Sequence, residues 1–177
     1  TLPVHRRSSG RRYVTLDSST LGCQGTVSFL DPLFRGFMIE GSIAMKGYLI
    51  QIEDATRDNQ YYRRVLFTAQ HSQLVLMSLK PGEEIGEEVH ELDQFIRFEE
   101  GEGIVVLDGE NHAVSDGFAV VIPAGTRHNV VNSGKTAALK LYSLYSPPEH
   151  KDGIIHKTKQ EADADHDHHF DGRTAMK

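Results

Sequence analysis

The 177-residue sequence has one cysteine, no long apolar run and no excess of basic side chains. Cys23 has no second cysteine to pair with, so an internal disulfide is excluded, which is compatible with a reducing cytoplasm. Since no run approaches the roughly eighteen apolar residues of a membrane span, we expect no transmembrane helix. The formal net charge of -6 argues against a nucleic-acid partner, because phosphate binding needs a basic surface. We therefore expect a cytoplasmic protein without a membrane or nucleic-acid partner.

The two ends of the chain differ in composition from its middle, and the length fits one domain with tails. Residues 1–44 are rich in Arg, Ser and Thr and show no sustained periodicity. An organelle transit peptide has such a composition, but we interpret this stretch as a disordered or non-native extension, with Met45 opening the domain. Residues 148–177 are polar and rich in His and Asp, and a His-rich tract can bind metal. We interpret them as a solvated tail with a short frayed helix within residues 158–169.

Residues 45–147 carry the pattern of an all-β domain. Short runs rich in Val, Ile, Leu, Tyr and Phe alternate with turn signals built from Gly, Pro, Asn and Asp. The predicted strands are GYLIQIE, YYRRVLFT, SQLVLMSLK, QFIRFEEG, GIVVLDG, FAVVIPAG, HNVVN and AALKLYSLYS. Asp108 and Gly109 predict a tight hairpin. Many short strands at close spacing indicate a β-sandwich or barrel.

Two of the predicted strands, GIVVL and FAVVI, are apolar on both faces. A strand of this kind is not expected to present one face to water. A second layer of strands or a partner chain must cover the outer face, so we expect a homodimer.

One short segment places three polar side chains where a strand would direct them inward. Residues two apart on a strand share a face, so Glu88 and His90 project together. Gln94 can return to the same interior and would share its face with Ile96 and Phe98. A barrel interior that holds these polar groups must satisfy them, and a bound cation does so in one step.

About forty residues later the sequence resembles the second motif of the cupin family. That motif is a Gly, five residues, Pro-x-Gly, two residues, His, three residues and Asn. The chain matches each position, with Gly117, Pro123, Gly125, His128 and Asn132.

The first cupin motif is matched with two substitutions. Gly82 and Gly101 occupy its glycine positions, and His90 occupies the position of its second histidine. Glu88 stands where the family has its first histidine, and Gln94 stands where the family has a glutamate. The resemblance is strongest over residues 78–133.

The resemblance implies a double-stranded β-helix, a jelly-roll-like barrel that is often dimeric and holds one divalent metal ion. The ligands carried over are Glu88, His90, Gln94 and His128. Two imidazoles and a carboxylate suit iron(II), and the same set accepts Mn, Zn or Ni. As an amide is a weak ligand, Gln94 can instead orient substrate or water. The alternative is a barrel without metal, in which Glu88 pairs with His90.

Two classes of function follow from this resemblance. The first is an enzyme acting on a small polar molecule, similar to proteins described as mannose-6-phosphate isomerase-like. In it the metal would polarise an oxygen, and Glu88, if it is not a tight ligand, would transfer the proton, as in an isomerase or epimerase. A non-haem iron dioxygenase is the rival enzyme. The second class is a non-catalytic barrel that binds a small molecule or a metal. No cluster of Lys and Arg accompanies the ligands in the sequence to hold a phosphate.

Overall fold

The structure is a computed structural model that describes residues 47–175. The extension predicted over residues 1–44, the predicted domain start at Met45, and Cys23 all lie outside the described residues. Between residues 47 and 175, no helix is long and apolar enough to cross a membrane. In chain order the elements are α1 Ile52–Asp58, β1 Arg63–Thr68, β2 Gln73–Leu79, β3 Asp93–Glu100, β4 Glu102–Leu107, β5 Glu110–Ser115, β6 Ala119–Ile122, β7 His128–Asn132, β8 Leu139–Ser146, β9 Ile155–His156 and α2 Lys159–Ala164.

The strands form two antiparallel sheets, which confirms the predicted all-β fold class. One sheet has six strands in the order β6-β3-β8-β2-β1-β9, and the other has three in the order β5-β4-β7. Apart from the pairs β1–β2 and β4–β5, neighbours in this order are not consecutive in sequence. The chain crosses between the sheets from β3 to β4 and at each step from β5 to β8, as in a jelly roll. This arrangement brings β3 and β7, the strands of the two sequence motifs, to opposite walls of one interior.

The interior is filled by alternate residues of the strands. Val75, Met77, Ile96, Phe98 and Leu141 have no exposed surface. Each such side chain stabilises the fold by about 1.5–3 kcal/mol relative to an exposed position.

The hairpin predicted at Asp108 and Gly109 joins β4 to β5. Leu107 pairs with Glu110, so the loop contains only these two residues. Both have a positive φ, 47° at Asp108 and 87° at Gly109. That combination defines the type I′ turn that Asp-Gly favours, because Gly has no Cβ to clash there.

The strand predicted over GYLIQIE is wrong. Residues 47–50 have no regular structure, and α1 begins at Ile52. Glu53 in the first turn suits the positive end of a helix, and it forms an ion pair with Arg57 at 3.2 Å. Thr56 is fully buried where α1 packs against β8 and β3. The apolar residues that suggested a strand thus precede most of the helix. The acidic residues in the first turn of α1 were the missed signal.

The last thirty residues differ from the solvated tail predicted from their polar composition. The predicted short helix is present as α2, where the Thr158 hydroxyl accepts a hydrogen bond from the Glu161 N–H. The same segment also adds β9 to the six-stranded sheet, beside β1. His150 and His156 are 3% and 5% exposed. Pairing with β1 is a long-range contact, and composition carries no information about it.

Candidate metal centre

Backbone pairing sets Glu88 directly opposite His128. The N–H of each donates to the carbonyl of the other over 2.9 Å, forming an isolated antiparallel bridge at the first residue of β7. Side chains of directly paired residues stand side by side on one face. His90 follows two residues later, and its carbonyl accepts a hydrogen bond of 2.8 Å from the N–H of Gly125. Backbone hydrogen bonds therefore join the two motifs at the candidate ligands themselves.

Three of the four candidate ligands, Glu88, His90 and His128, converge. The Glu88 Oε2 atom lies 3.1 Å from His90 Nε2 and 3.9 Å from His128 Nε2. One ligand atom from each of the three residues lies within 4.8 Å of the others. Among residues 47–175, no other trio of His, Cys, Asp or Glu side chains brings its ligand atoms this close together.

Gln94 is the second residue of β3, in register with Tyr145 on β8 and Ile122 on β6. Its side chain is 1% exposed, and its Nε2 donates to the Ser143 hydroxyl over 3.1 Å. Its Oε1 atom is buried without a hydrogen-bond partner. A buried carbonyl oxygen of this kind is destabilising unless something binds it.

The hydrogen bonds of His128 fix which ring nitrogen is free. Its Nδ1 lies 2.9 Å from the carbonyl oxygen of Thr126, which can only accept, so Nδ1 carries the hydrogen. In the neutral ring, Nε2 then presents a lone pair, as in metal-binding histidines. That Nε2 atom is buried without a hydrogen-bond partner.

Charge interactions favour an ionised Glu88. Burial alone would raise the pKa of Glu88, but the hydrogen bond from His90 and the charges of His90, Arg63 and His128 lower it overall. Burial alone would lower the pKa of His90, but the hydrogen bond to Glu88 and the charges of Glu88 and Glu149 raise it overall. The ionised carboxylate of Glu88 therefore attracts positive charge. A divalent cation would satisfy that carboxylate and the unpartnered His128 Nε2, so Glu88, His90 and His128 fit the metal that the family implies.

Glu149 joins the site from a region that sequence reasoning did not connect with it. Its Oε1 atom lies 3.9 Å from His90 Nδ1 and 3.2 Å from His169 Nδ1. It belongs to the loop after β8, and no local pattern marks it. Only the return of the chain toward His90 brings it there.

Arg63 was also missed. It is 5% exposed, whereas its neighbour Arg64 is exposed. The alternation of a strand requires one of two adjacent arginines on β1 to face inward. That pair was the signal in the sequence, but the register of β1 was needed to tell which arginine it was.

The histidines of the last segment form a separate group. The ring of His150 lies 5.2 Å from that of Tyr145 and 5.4 Å from that of His168. His156 Nε2 contacts Asp165 Oδ2 at 2.9 Å. These residues lack the close convergence of ligand atoms seen at Glu88, so they do not form a comparable candidate metal site.

Comparison with known proteins identifies the family. The cupin domain pattern matches residues 75–145. The uncharacterized protein YrkC of Bacillus subtilis is 46% identical over 129 residues, which cover 69% of this chain and 69% of that protein. An uncharacterized protein of Acanthamoeba polyphaga mimivirus is 49% identical over 113 residues, covering 61% of this chain and 70% of that protein.

Among solved structures, BH2720 from Bacillus halodurans is similar, with a TM-score of 0.66 and 46% identity. The match covers 68% of this chain and 96% of that one. Together with the two sequence motifs and the paired sheets, these similarities show that the chain belongs to the cupin family.

Proposed function

We propose that this cupin binds one divalent metal ion through Glu88, His90 and His128, and that the centre serves a reaction on a small polar molecule. Gln94 is the fourth candidate ligand, through its Oε1 atom. The observation that carries the proposal is the convergence of the three donor atoms within 4.8 Å. The buried, unpartnered Nε2 of His128 supports it, because the atom most in need of a partner faces the carboxylate.

The donor set limits the chemistry. Two imidazoles and one carboxylate are the ligands of open iron(II) sites and also suit Mn, Zn or Ni. When bound, such an ion supplies Lewis-acid polarisation of a carbonyl or hydroxyl oxygen. Three protein ligands with a weak fourth would leave room for a small molecule.

Glu88 is the residue we assign to proton transfer. Its Oε2 atom faces both imidazoles, whereas its Oε1 atom has no hydrogen bond or ion pair to the described residues. Because the pKa of Glu88 is lowered, this carboxylate is ionised near neutral pH and able to accept a proton. A base beside a polarised oxygen suits removal of a proton from the adjacent carbon, and this favours isomerase or epimerase chemistry on a sugar-type compound.

A non-haem iron dioxygenase is the second candidate. It is favoured by the same set of two histidines and one carboxylate, which is the usual ligand set of iron enzymes that activate oxygen. A barrel that only binds a metal or a small molecule is the non-catalytic alternative. In it, the 3.1 Å contact between Glu88 and His90 would simply satisfy the pair.

Elemental analysis of the whole chain, purified without an affinity tag, tests the metal proposal. We expect about one equivalent of metal, and near-complete loss of it in Glu88→Gln and in His128→Gln. His112→Gln is the matched control, because His112 is exposed on β5. The exposed His166 and His169 are changed to Gln in a separate protein to remove surface metal. If loaded and washed wild-type protein holds no metal, the proposal is wrong.

Solvent exchange then separates the reactions. The metal-loaded protein is incubated in heavy water with a panel of aldoses, ketoses and hydroxy acids, and proton NMR follows loss of the carbon-bound hydrogen. Isomerase or epimerase chemistry predicts deuterium at the carbon beside the carbonyl, absent in Glu88→Gln. Oxygen uptake without exchange would instead support the dioxygenase. Neither signal with any compound would favour the binding module.

A further inference from the structure

Arg63 points into the barrel and not toward solvent. In the register of β1 and β2 it stands directly opposite Met77, which is fully buried in the core. Directly opposed residues of an antiparallel pair share a face, so the Arg63 side chain enters the same interior. The next residue, Arg64, lies on the other face and is exposed.

The guanidinium of Arg63 has no carboxylate partner. Its Nε atom is buried without a hydrogen bond, and within residues 47–175 no Asp or Glu lies within ion-pair distance of it. The guanidinium lies over the ring of Tyr62, with Cζ 5.9 Å from the ring centroid. A buried charge that lacks a counter-charge is strongly unfavourable, since guanidinium is never deprotonated in proteins.

Carboxylates around the candidate metal centre and the last segment contact histidines and not Arg63. Glu88 directs its Oε2 atom to the imidazoles of His90 and His128, and Asp165 is held by His156 at 2.9 Å. Neither forms an ion pair with Arg63. The guanidinium therefore lacks a directly bound carboxylate within residues 47–175 and is free to bind an anion from outside the chain.

His150 supplies a second unpartnered group in the same interior. Both of its ring nitrogens are buried without a hydrogen bond. Its backbone is fixed by Gln73, whose side chain binds both the N–H and the carbonyl of His150. Burial, and next the charge of Arg63, lower the pKa of His150 to about 2. The ring is therefore neutral and offers one N–H donor.

The same guanidinium is close enough to affect the candidate metal centre. Its charge is among the causes that lower the pKa of Glu88, after burial and the contacts with His90. Tyr145 lies between the two regions, with its ring 6.0 Å from that of His90 and 5.2 Å from that of His150. A small molecule at the metal would thus come within range of the charge of Arg63 and of the ring of His150.

We infer that Arg63 and His150 form an anion-binding subsite beside Glu88, His90 and His128, and that the molecule this cupin acts on carries a carboxylate. The permanent positive charge of Arg63 repels cations, so this subsite is not expected to bind a second metal ion. A carboxylate fits better than a phosphate dianion, because one guanidinium offers one positive charge and a planar fork that matches a carboxylate. The substrate class rests on the proposed function, whereas anion binding at Arg63 does not.

Binding of acetate and of its neutral analogue acetamide tests this subsite. Both are titrated into metal-free whole protein, so that a bound metal cannot attract the acetate, and heat-induced unfolding reports the stabilisation. We expect acetate to raise the melting temperature in a saturable way and acetamide to have no effect. In Arg63→Met, the dissociation constant for acetate should rise by at least about tenfold. Arg64→Met is the matched control and should bind acetate as wild type does.

A second measurement guards against a variant that fails to fold. Crystals of the wild-type protein, grown without carboxylates, are soaked in sodium bromide, and anomalous scattering locates the anion. The inference predicts bromide at the Arg63 guanidinium. It is overturned if no bromide lies there, if acetamide stabilises as well as acetate, or if Arg63→Met keeps wild-type affinity. The metal content of Arg63→Met is measured in parallel, so that loss of the subsite and loss of the metal centre are distinguished.

Discussion

The Nδ1 atom of His128 donates to the backbone carbonyl of Thr126 over 2.9 Å, and this contact turns Nε2 toward Glu88. The carbonyl belongs to the turn that follows Pro123, so the motif that builds the turn also selects the tautomer of the ring two residues later. The second cupin motif thus supplies a ligand together with the group that orients it. Positioning of this kind is typical of metal-binding histidines.

Gln94 is predicted to act on the metal directly. Replacing it with glutamate restores the residue that the family pattern has here and adds a negative charge to the donor set. We expect Gln94→Glu to raise the affinity for a divalent ion by about tenfold and Gln94→Met to lower it by a similar factor. Competition with a chromophoric chelator measures both. Equal affinities in all three proteins would show that Gln94 is not a ligand.

Asn132, the last residue of the second motif, has a structural role. Its Nδ2 donates to the carbonyls of Leu79 and Ala137 over 2.8 and 3.0 Å, and its Oδ1 accepts from the Gly134 N–H over 2.9 Å. Aspartate has the same shape but no donor, so Asn132→Asp leaves both carbonyls unsatisfied and buries a charge. We expect the free energy of unfolding to fall by about 3 kcal/mol, measured by urea denaturation. The exposed Asn111→Asp should change it little, and similar values for the two variants would refute this role.

The lowered pKa of His150 predicts that the free energy of unfolding depends on pH. Burial and the charges of Arg63, His168, His90 and His169 lower its pKa to about 2 in the folded protein. Below the unfolded value of about 6.5, the unfolded chain takes up a proton that the folded chain does not, so folding weakens as the pH falls. This loss amounts to about 2 kcal/mol between pH 7.5 and pH 5.0.

The variant His150→Gln does not titrate and should lack that loss. Urea denaturation at the two pH values gives the difference between the proteins, with the exposed His112→Gln as control. If the wild-type protein and His150→Gln lose the same free energy on acidification, His150 does not remain neutral in the folded state.

The predicted homodimer has a candidate surface on the outer face of the six-stranded sheet. Five apolar residues stand in register across five of its strands. They are Val121, Phe95, Leu144, Leu74 and Phe67. Val121 is 66% exposed and Leu144 is 39% exposed. We expect two copies of the chain to cover this row, because such a stripe is costly to leave in water.

Light scattering coupled to size exclusion measures the mass in solution. Val121→Asp, which places a charge on the most exposed residue of this apolar row, should convert the dimer to a monomer. Ala113→Asp changes an exposed residue of the other sheet and should leave the dimer intact. A monomeric wild-type protein, or a dimer that survives Val121→Asp, would rule out this surface.

The sequence revealed what depends on local rules. The β-branched runs and the turns between them placed β1 to β4 and β6 to β8, whereas β5 was indicated only by the hairpin signal at Asp108 and Gly109. The spacing of the second motif pointed to His128 as a candidate ligand. Glu88 and His90 followed from the alternation of an extended chain. By contrast, β9, the approach of Glu149 to His90 and the burial of Arg63 depend on contacts between distant segments, which no local pattern determines. The start of α1 was misjudged because a few apolar residues before it imitate a strand.

Anomalous diffraction from crystals of the metal-loaded protein tests the central claim most directly. Data on either side of the absorption edge of the loaded metal locate the ion itself. The account predicts one strong peak within bonding distance of Glu88, His90 and His128, about 2.0–2.2 Å from their ligand atoms. A peak only among the histidines of residues 150–169, or no peak in fully loaded crystals, would contradict it.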